Sequence, residues 1–148
     1  FRVGDLVASS PCGNDHVRFC DVLIDNTYIL IKLYRFKTNQ RGNPFTFKIP
    51  SIMHHLCPVK ATESYINLRP NIKGPLFVHS NGLPVTRSQF CGVLSKCINR
   101  TKYHSGHYKS HSFRIGRASD LSKAGLPAET VMSLGRWSSQ SYQSYIRH

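Results

Sequence analysis

The stretch YILIKLY (28–34) and the later FTFKIP (45–50) constrain this chain more than any other feature. In the first, Ile29, Ile31 and Leu33 alternate with Leu30 and Lys32, and β-branched and aromatic residues dominate. That two-residue period is the signature of a strand with two unlike faces. Between the two runs, RFKTNQRGNP (35–44) supplies Asn, Gly and Pro, so 28–49 reads as an antiparallel hairpin with a long basic tip. Lys37 sits at the exit of its first strand.

After the hairpin the period changes. VKATESYINLRP, entered through Pro58 and closed by Pro70, reads as a short helix with Val59, Ala61 and Tyr65 among its apolar positions. GPLFVHSNGLP is a loop around a brief extended piece, and Thr86 is placed to cap a helix through RSQFCGVLSKCI. There Phe90, Val93, Leu94 and Cys97 recur at three-to-four spacing. The polar stretch 101–110 precedes a helix capped by Ser110 or Ser112 and ended by Gly125. Pro127 opens another to about Leu134, and a Ser-rich polar segment follows the Gly135 turn. A hairpin first and helices afterwards give a mainly helical α+β domain. The 148 residues suit one domain, 1–148, with no internal repeat.

Charge narrows the partner. Lys and Arg number 20 against 7 Asp and Glu, a net +13, while 40% hydrophobic residues keep the chain globular. So much distributed cation fits a polyanion, and nucleic acid leads over a small acidic substrate. No apolar run reaches membrane-span length and no signal-peptide progression opens the chain. Five cysteines, Cys12, Cys20, Cys57, Cys91 and Cys97, form no framework and fit reduced thiols in an intracellular setting. The opening at FRVGDLVASS and the stop three residues after Tyr145 read as a fragment truncated at both ends.

The chemistry concentrates in SHSFRIGRAS (110–119) and LGRWSSQSYQSYIRH (134–148). His111 lies one turn before Arg114, and Arg114 and Arg117 share a helix face. A helix N-terminus adds positive potential, so imidazole and guanidinium there suit one phosphate. LGRW and YIR add Arg136, Trp137 and Tyr145, and the hairpin tip adds Lys37. Arginines, a lysine, a histidine and a tyrosine, with no acidic cluster or cysteine pair, are the groups needed for metal-free phosphoryl transfer onto a tyrosine. A zinc site from His54, His55 and Cys57, or from His104, His107 and His111, is disfavoured because the first set lacks a second pair and the second consumes His111. Lys102, Lys109, Arg117 and Lys123 read as phosphate contacts that position a duplex, and Arg35 and Arg41 of the tip can track its backbone.

With these residues in order, the chain resembles the catalytic domain of the tyrosine recombinases, the phage integrase family, and is most similar to those of DIRS-like and Crypton-like mobile elements. FRVGDL resembles the first arginine box, FKT the hairpin lysine box, HSFR the histidine-x-x-arginine box and SYIR the nucleophile box. The resemblance implies a small sheet packed against a helical bundle. It implies Arg2 and Arg114 as the phosphate clamp, Asp5 as structural support, Lys37 as the acid on the leaving 5′ oxygen, His111 as handler of the nucleophile's proton, and Tyr145 as nucleophile. Tyr142 competes for that last role, but its spacing to the upstream boxes is poorer.

The reaction so implied is attack on a DNA phosphodiester to give a 3′-phosphotyrosine and a free 5′ hydroxyl, then reversal, with no cofactor and no metal. Most members carry His or Trp nine positions before the tyrosine, where Arg136 stands here and Trp137 follows; Trp137 is preferred, while the spacing favours Arg136. The full-length family works as a homotetramer on two DNA sites and carries an amino-terminal DNA-binding domain absent here. A eukaryotic mobile element places the protein in the nucleus, otherwise in the cytoplasm. Two rivals are a type IB topoisomerase-like enzyme and a decayed remnant that binds DNA without cutting it.

Overall fold

A computed structural model describes residues 1–8, 16–34, 43–103, 106–137 and 139–147. The chain divides into two compact units, one of Val3–Gln89 and one of Phe90–His148 together with Phe1–Arg2.

The first unit is built on a three-stranded antiparallel sheet of order β1-β2-β3, with β1 Val22–Asp25, β2 Tyr28–Leu33 and β3 Phe45–Pro50. The predicted hairpin is present, in the register Tyr28↔Pro50 through Leu33↔Phe45. β1 is an addition to it. It pairs with β2 from Val22↔Ile31 to Asp25↔Tyr28, across a tight turn that Asp25 closes by accepting the Thr27 N–H and hydroxyl at 2.9 and 2.7 Å. Ile29, Ile31 and Leu33 point to the buried face, as their alternation requires. The opposite face holds Lys32 over Tyr34 and Lys48 over Tyr28.

Helix α2, Pro58–Leu68, packs on this sheet and buries Val59. Val17, Ile29 and Val59 are the largest fully buried side chains here, each worth roughly 1.5–3 kcal/mol on leaving water. Pro58 opens α2 because the N–H it lacks has no partner in a first turn anyway. The short helix α1, Val3–Leu6, buries Asp5, and Ala8 forms an isolated parallel bridge with Thr86.

After α2 the chain turns around Arg69. Its guanidinium donates to the carbonyls of Pro70, Ile72, Pro75 and Leu76 at 2.8–2.9 Å and lies 4.4 Å over the Phe19 ring. Tyr65 completes the wrap: its hydroxyl accepts the Val78 N–H at 2.8 Å and faces the Leu76 and Val78 carbonyls.

α3, Arg87–Asn99, begins as Thr86 predicts. The Gln89 N–H donates to Thr86 Oγ1 and the Thr86 N–H to Gln89 Oε1, the reciprocal pairing that satisfies two orphan donors at a helix start. Its apolar stripe is a correction. Val93 and Cys97 are exposed and no α3 residue is fully buried. Leu94 and Ile98 instead line an open apolar groove of about 630 Å³ with Tyr103, Tyr108 and Phe113 in the second unit.

The second unit adds α4, Ser112–Lys123, α5, Ala128–Gly135, and a six-residue 3₁₀ turn, Gln140–Tyr145. Leu121 of α4, Val131 of α5 and Tyr142 of the 3₁₀ turn form its core, with Leu126, Met132, Trp137 and Ile146 packed around them. The final segment is therefore folded, where its serines predict only a polar tail, and Tyr142 is what anchors it. No helix among the described residues is long and apolar enough to cross a membrane.

Candidate active site

The site is assembled from the start of α4, the end of α5 and the 3₁₀ turn, three elements packed on one another. His111 holds the N-cap position of α4 with helical dihedrals of −72° and −22°. Neither serine caps the helix as expected. The Ser112 hydroxyl accepts the Lys109 N–H at 3.0 Å, so it ties the incoming loop rather than the first turn, and the Arg114 and Ile115 N–H groups bond to His111 O instead. One turn in, Arg114 points the same way as His111. At the other end Gly125, at φ +73°, closes α4: its N–H reaches Ser122 O and the Leu126 N–H reaches Leu121 O.

α5 closes by the same geometry without a glycine. Arg136 takes the left-handed conformation at φ 53°, its N–H bonds Ser133 O, and the Trp137 N–H bonds Met132 O at 2.9 Å. The reversal swings the Trp137 indole back over Gly135, where a Cβ would overlap the ring. Arg114 closes the joint, its Nη2 donating to Gly135 O at 2.9 Å and its guanidinium carbon 4.7 Å from the Trp137 ring. A cavity of about 290 Å³ opens beside Arg114, Arg117 and Trp137, room enough for a phosphate group.

Tyr145 stands between two rings, 4.9 Å from His111 and 5.5 Å from Trp137 by centroids. It is half-buried, whereas Tyr142 is only 6% exposed and spent in the core. The two tyrosines are thus separated by burial, which spacing alone left to argument. Although His111 keeps much of its surface in water, partial desolvation and then the charges of Arg114 and Arg2 lower its pKa below the ordinary imidazole value. A neutral imidazole beside a phenol can accept its proton, and a guanidinium alongside can neutralise a phosphate oxygen.

This geometry has a known frame. The phage integrase family profile matches residues 16–148. The chain belongs to the phage integrase family. Members of that family break and rejoin DNA. Arg2 precedes the matched stretch, while His111, Arg114, Trp137 and Tyr145 all lie within it. Among solved structures, the integrase of the Tn1549 transposon, in complex with transposon right end DNA, is similar at TM-score 0.57 and 16% identity, covering 88% of this chain and 47% of that one. This phage integrase family chain therefore spans about half the length of that structure. No curated protein sequence matches it.

The structure brings together His111, Arg114, Trp137 and Tyr145, with Arg2 close enough to act on His111 electrostatically. Arg136 is turned toward Phe1 instead, 6.0 Å from its ring, while Trp137 faces Tyr145. Lys37, Arg35 and Arg41 lie outside the described residues, as does His104. Lys102, Lys109, Arg117 and Lys123 are all exposed, with Lys109 and Arg117 on the rim of the α3–α4 groove. Sequence reasoning read Gly135 only as a turn and missed that its absent side chain admits the Trp137 ring, and it passed over Ser119, a buried hydroxyl on α4. The signal for Gly135 was its place two residues before the tryptophan; Ser119 gave none.

Proposed function

We propose that this chain is the catalytic part of a mobile-element tyrosine recombinase that cuts and rejoins duplex DNA through Tyr145. The observation that carries the reading is the placement of the Tyr145 phenol between the His111 and Trp137 rings, with Arg114 stacked on that same tryptophan. The Tyr145 oxygen attacks the scissile phosphorus, forming a P–O bond to tyrosine as the bond to the 5′ oxygen breaks. Neutral His111 takes the phenolic proton, and Lys37 gives one to the departing 5′ oxygen. Arg2 and Arg114 hold the nonbridging oxygens, and the Trp137 indole N–H is offered to the same phosphate, with Arg136 the alternative. The phosphotyrosine conserves the bond energy, and a 5′ hydroxyl from another strand reverses the step.

Membership in the phage integrase family and likeness to a transposon integrase support the mobile-element reading, and the HSFR and SYIR boxes support a DIRS-like or Crypton-like source. A homotetramer on two DNA sites, and a nuclear location for a eukaryotic element, belong to this proposal. So do the phosphate contacts of Lys102, Lys109, Arg117 and Lys123. The test is covalent capture by the full-length protein on a nicked duplex from which the short fragment bearing the new 5′ hydroxyl diffuses away. We expect a protein–DNA adduct resistant to detergent that Tyr145→Phe abolishes. DNA binding without a Tyr145-dependent adduct would instead identify a remnant that has lost catalysis.

A further inference from the structure

The hydroxyl of Ser119 lies two turns along α4 from His111, and only 6% of the residue is exposed. Its Oγ donates to Ile115 O at 2.9 Å, the bond back up its own helix that a serine in a helix interior commonly makes. The same Oγ accepts the Arg147 N–H at 2.9 Å, and Tyr145 O stands 3.4 Å from it. A hydroxyl has one proton and two acceptor lone pairs. With the proton committed to Ile115, the rotor is set and the lone pairs face the chain at Arg147. The Arg147 bond ties the backbone to α4 two residues after Tyr145.

The segment is also held by apolar packing, with the Tyr142 ring in the core beside Leu121 and Ile146 packed against it. Such packing fixes depth, whereas a directional hydrogen bond fixes the path of the backbone.

We infer that Ser119 is a positioning residue: it holds the backbone of the Tyr145 segment to the helix that carries His111 and Arg114, so that nucleophile, base and clamp share one rigid mount. The inference rests on Tyr145 being the nucleophile. Ser119 touches neither substrate nor the reacting atoms, and being buried it has no part in gripping DNA. Its contribution is geometric, and a displacement of about 1 Å at a reacting atom lowers a rate about 100-fold.

The experiment compares Ser119→Ala and Ser119→Thr with wild type in the full-length protein. It reads the single-turnover rate of adduct formation on the nicked duplex, the DNA dissociation constant by fluorescence anisotropy, and the melting temperature. Ser119→Ala should cut the adduct rate about 10- to 100-fold with DNA affinity unchanged within about twofold. Ser119→Thr keeps the hydroxyl and the bond to the preceding turn, and should recover most of the rate. Val59→Ala, a core truncation in the other unit, serves as a comparator of matched stability. If Val59→Ala at equal melting temperature slows cleavage as much as Ser119→Ala, or if threonine fails to rescue, Ser119 is merely structural and the inference is overturned. A wild-type rate in Ser119→Ala overturns it while leaving Tyr145 as nucleophile. Absence of any Tyr145-dependent adduct from wild type removes both.

Discussion

Arg69 and Arg114 are each stacked on an aromatic ring, at 4.4 Å over Phe19 and 4.7 Å over Trp137, yet the two units use them in opposite ways. Arg69 is 8% exposed and directs four hydrogen bonds into a loop that would otherwise bury unpaired carbonyls. Arg114 donates to Gly135 O, borders a cavity of about 290 Å³, and shares its tryptophan with a tyrosine. A guanidinium's planar fork serves either a ring of carbonyls or a tetrahedral anion. The contrast is between a guanidinium directed at four backbone carbonyls and one that borders a cavity beside a histidine and a tyrosine.

The sharpest way to break this contrast is to remove each side chain in turn. Arg114→Ala should lower the adduct rate about 1,000-fold or more with a melting temperature near wild type, since a preorganised cationic clamp supplies that much of a transition state. Arg69→Ala should do the reverse. Stripped of charged donors, its carbonyls cost about 3 kcal/mol of stability in denaturant unfolding, while the folded fraction cleaves normally. Equal effects of both substitutions on both readouts would dissolve the distinction.

Gly135→Ala tests the joint that Arg114 closes. The new methyl meets the Trp137 ring, so the indole must leave its place between Arg114 and Tyr145. Adduct formation should fall about 100-fold, as expected for a misplacement of this kind. Because Trp137 is the single tryptophan, its fluorescence emission reports the displacement directly.

Two pH effects are smaller and fall one in each unit. His111 has a lowered pKa, so the unfolded chain protonates first as pH drops below about 6.5; stability is full above that and declines as pH falls through the folded value. Cleavage should hold its rate down to the same region, and an acid limb centred above about 6.5 contradicts the neutral base. In the other unit the Cys57 thiol, at the N-cap of α2, is lowered from 9.0 to about 7, chiefly by the backbone N–H of Lys60 and then by Ser51. There the folded chain loses its proton first, so stability should rise between pH 7 and 9, and Cys57→Ser should flatten that rise in thermal melts.

The hairpin was legible because Ile29, Ile31 and Leu33 alternate over enough residues to exclude a helix, and α5 because Pro127 and Gly135 bracket it. β1 was not read: Val22–Ile24 is an apolar run of only three residues, too short to declare a period, and only the Asp25–Asn26 turn hints at it. HSFR and SYIR made the site legible as a set of residue types. Their mutual placement was not, because it depends on a left-handed turn at Arg136 and on a 3₁₀ segment too short to show periodicity. Tyr142 looked like a second exposed tyrosine for the same reason. Arg69 and Ser119 read as ordinary polar residues until the carbonyls and N–H groups around them had positions.

The left-handed Arg136 has an evolutionary corollary. A side chain in that conformation costs about 1 kcal/mol that glycine escapes, so replacing it with glycine is one route to a sturdier protein. Homologues that keep arginine at this turn would be under selection for something other than thermodynamic robustness. A survey of natural variation at this one codon would weigh that benefit without any assay of recombination.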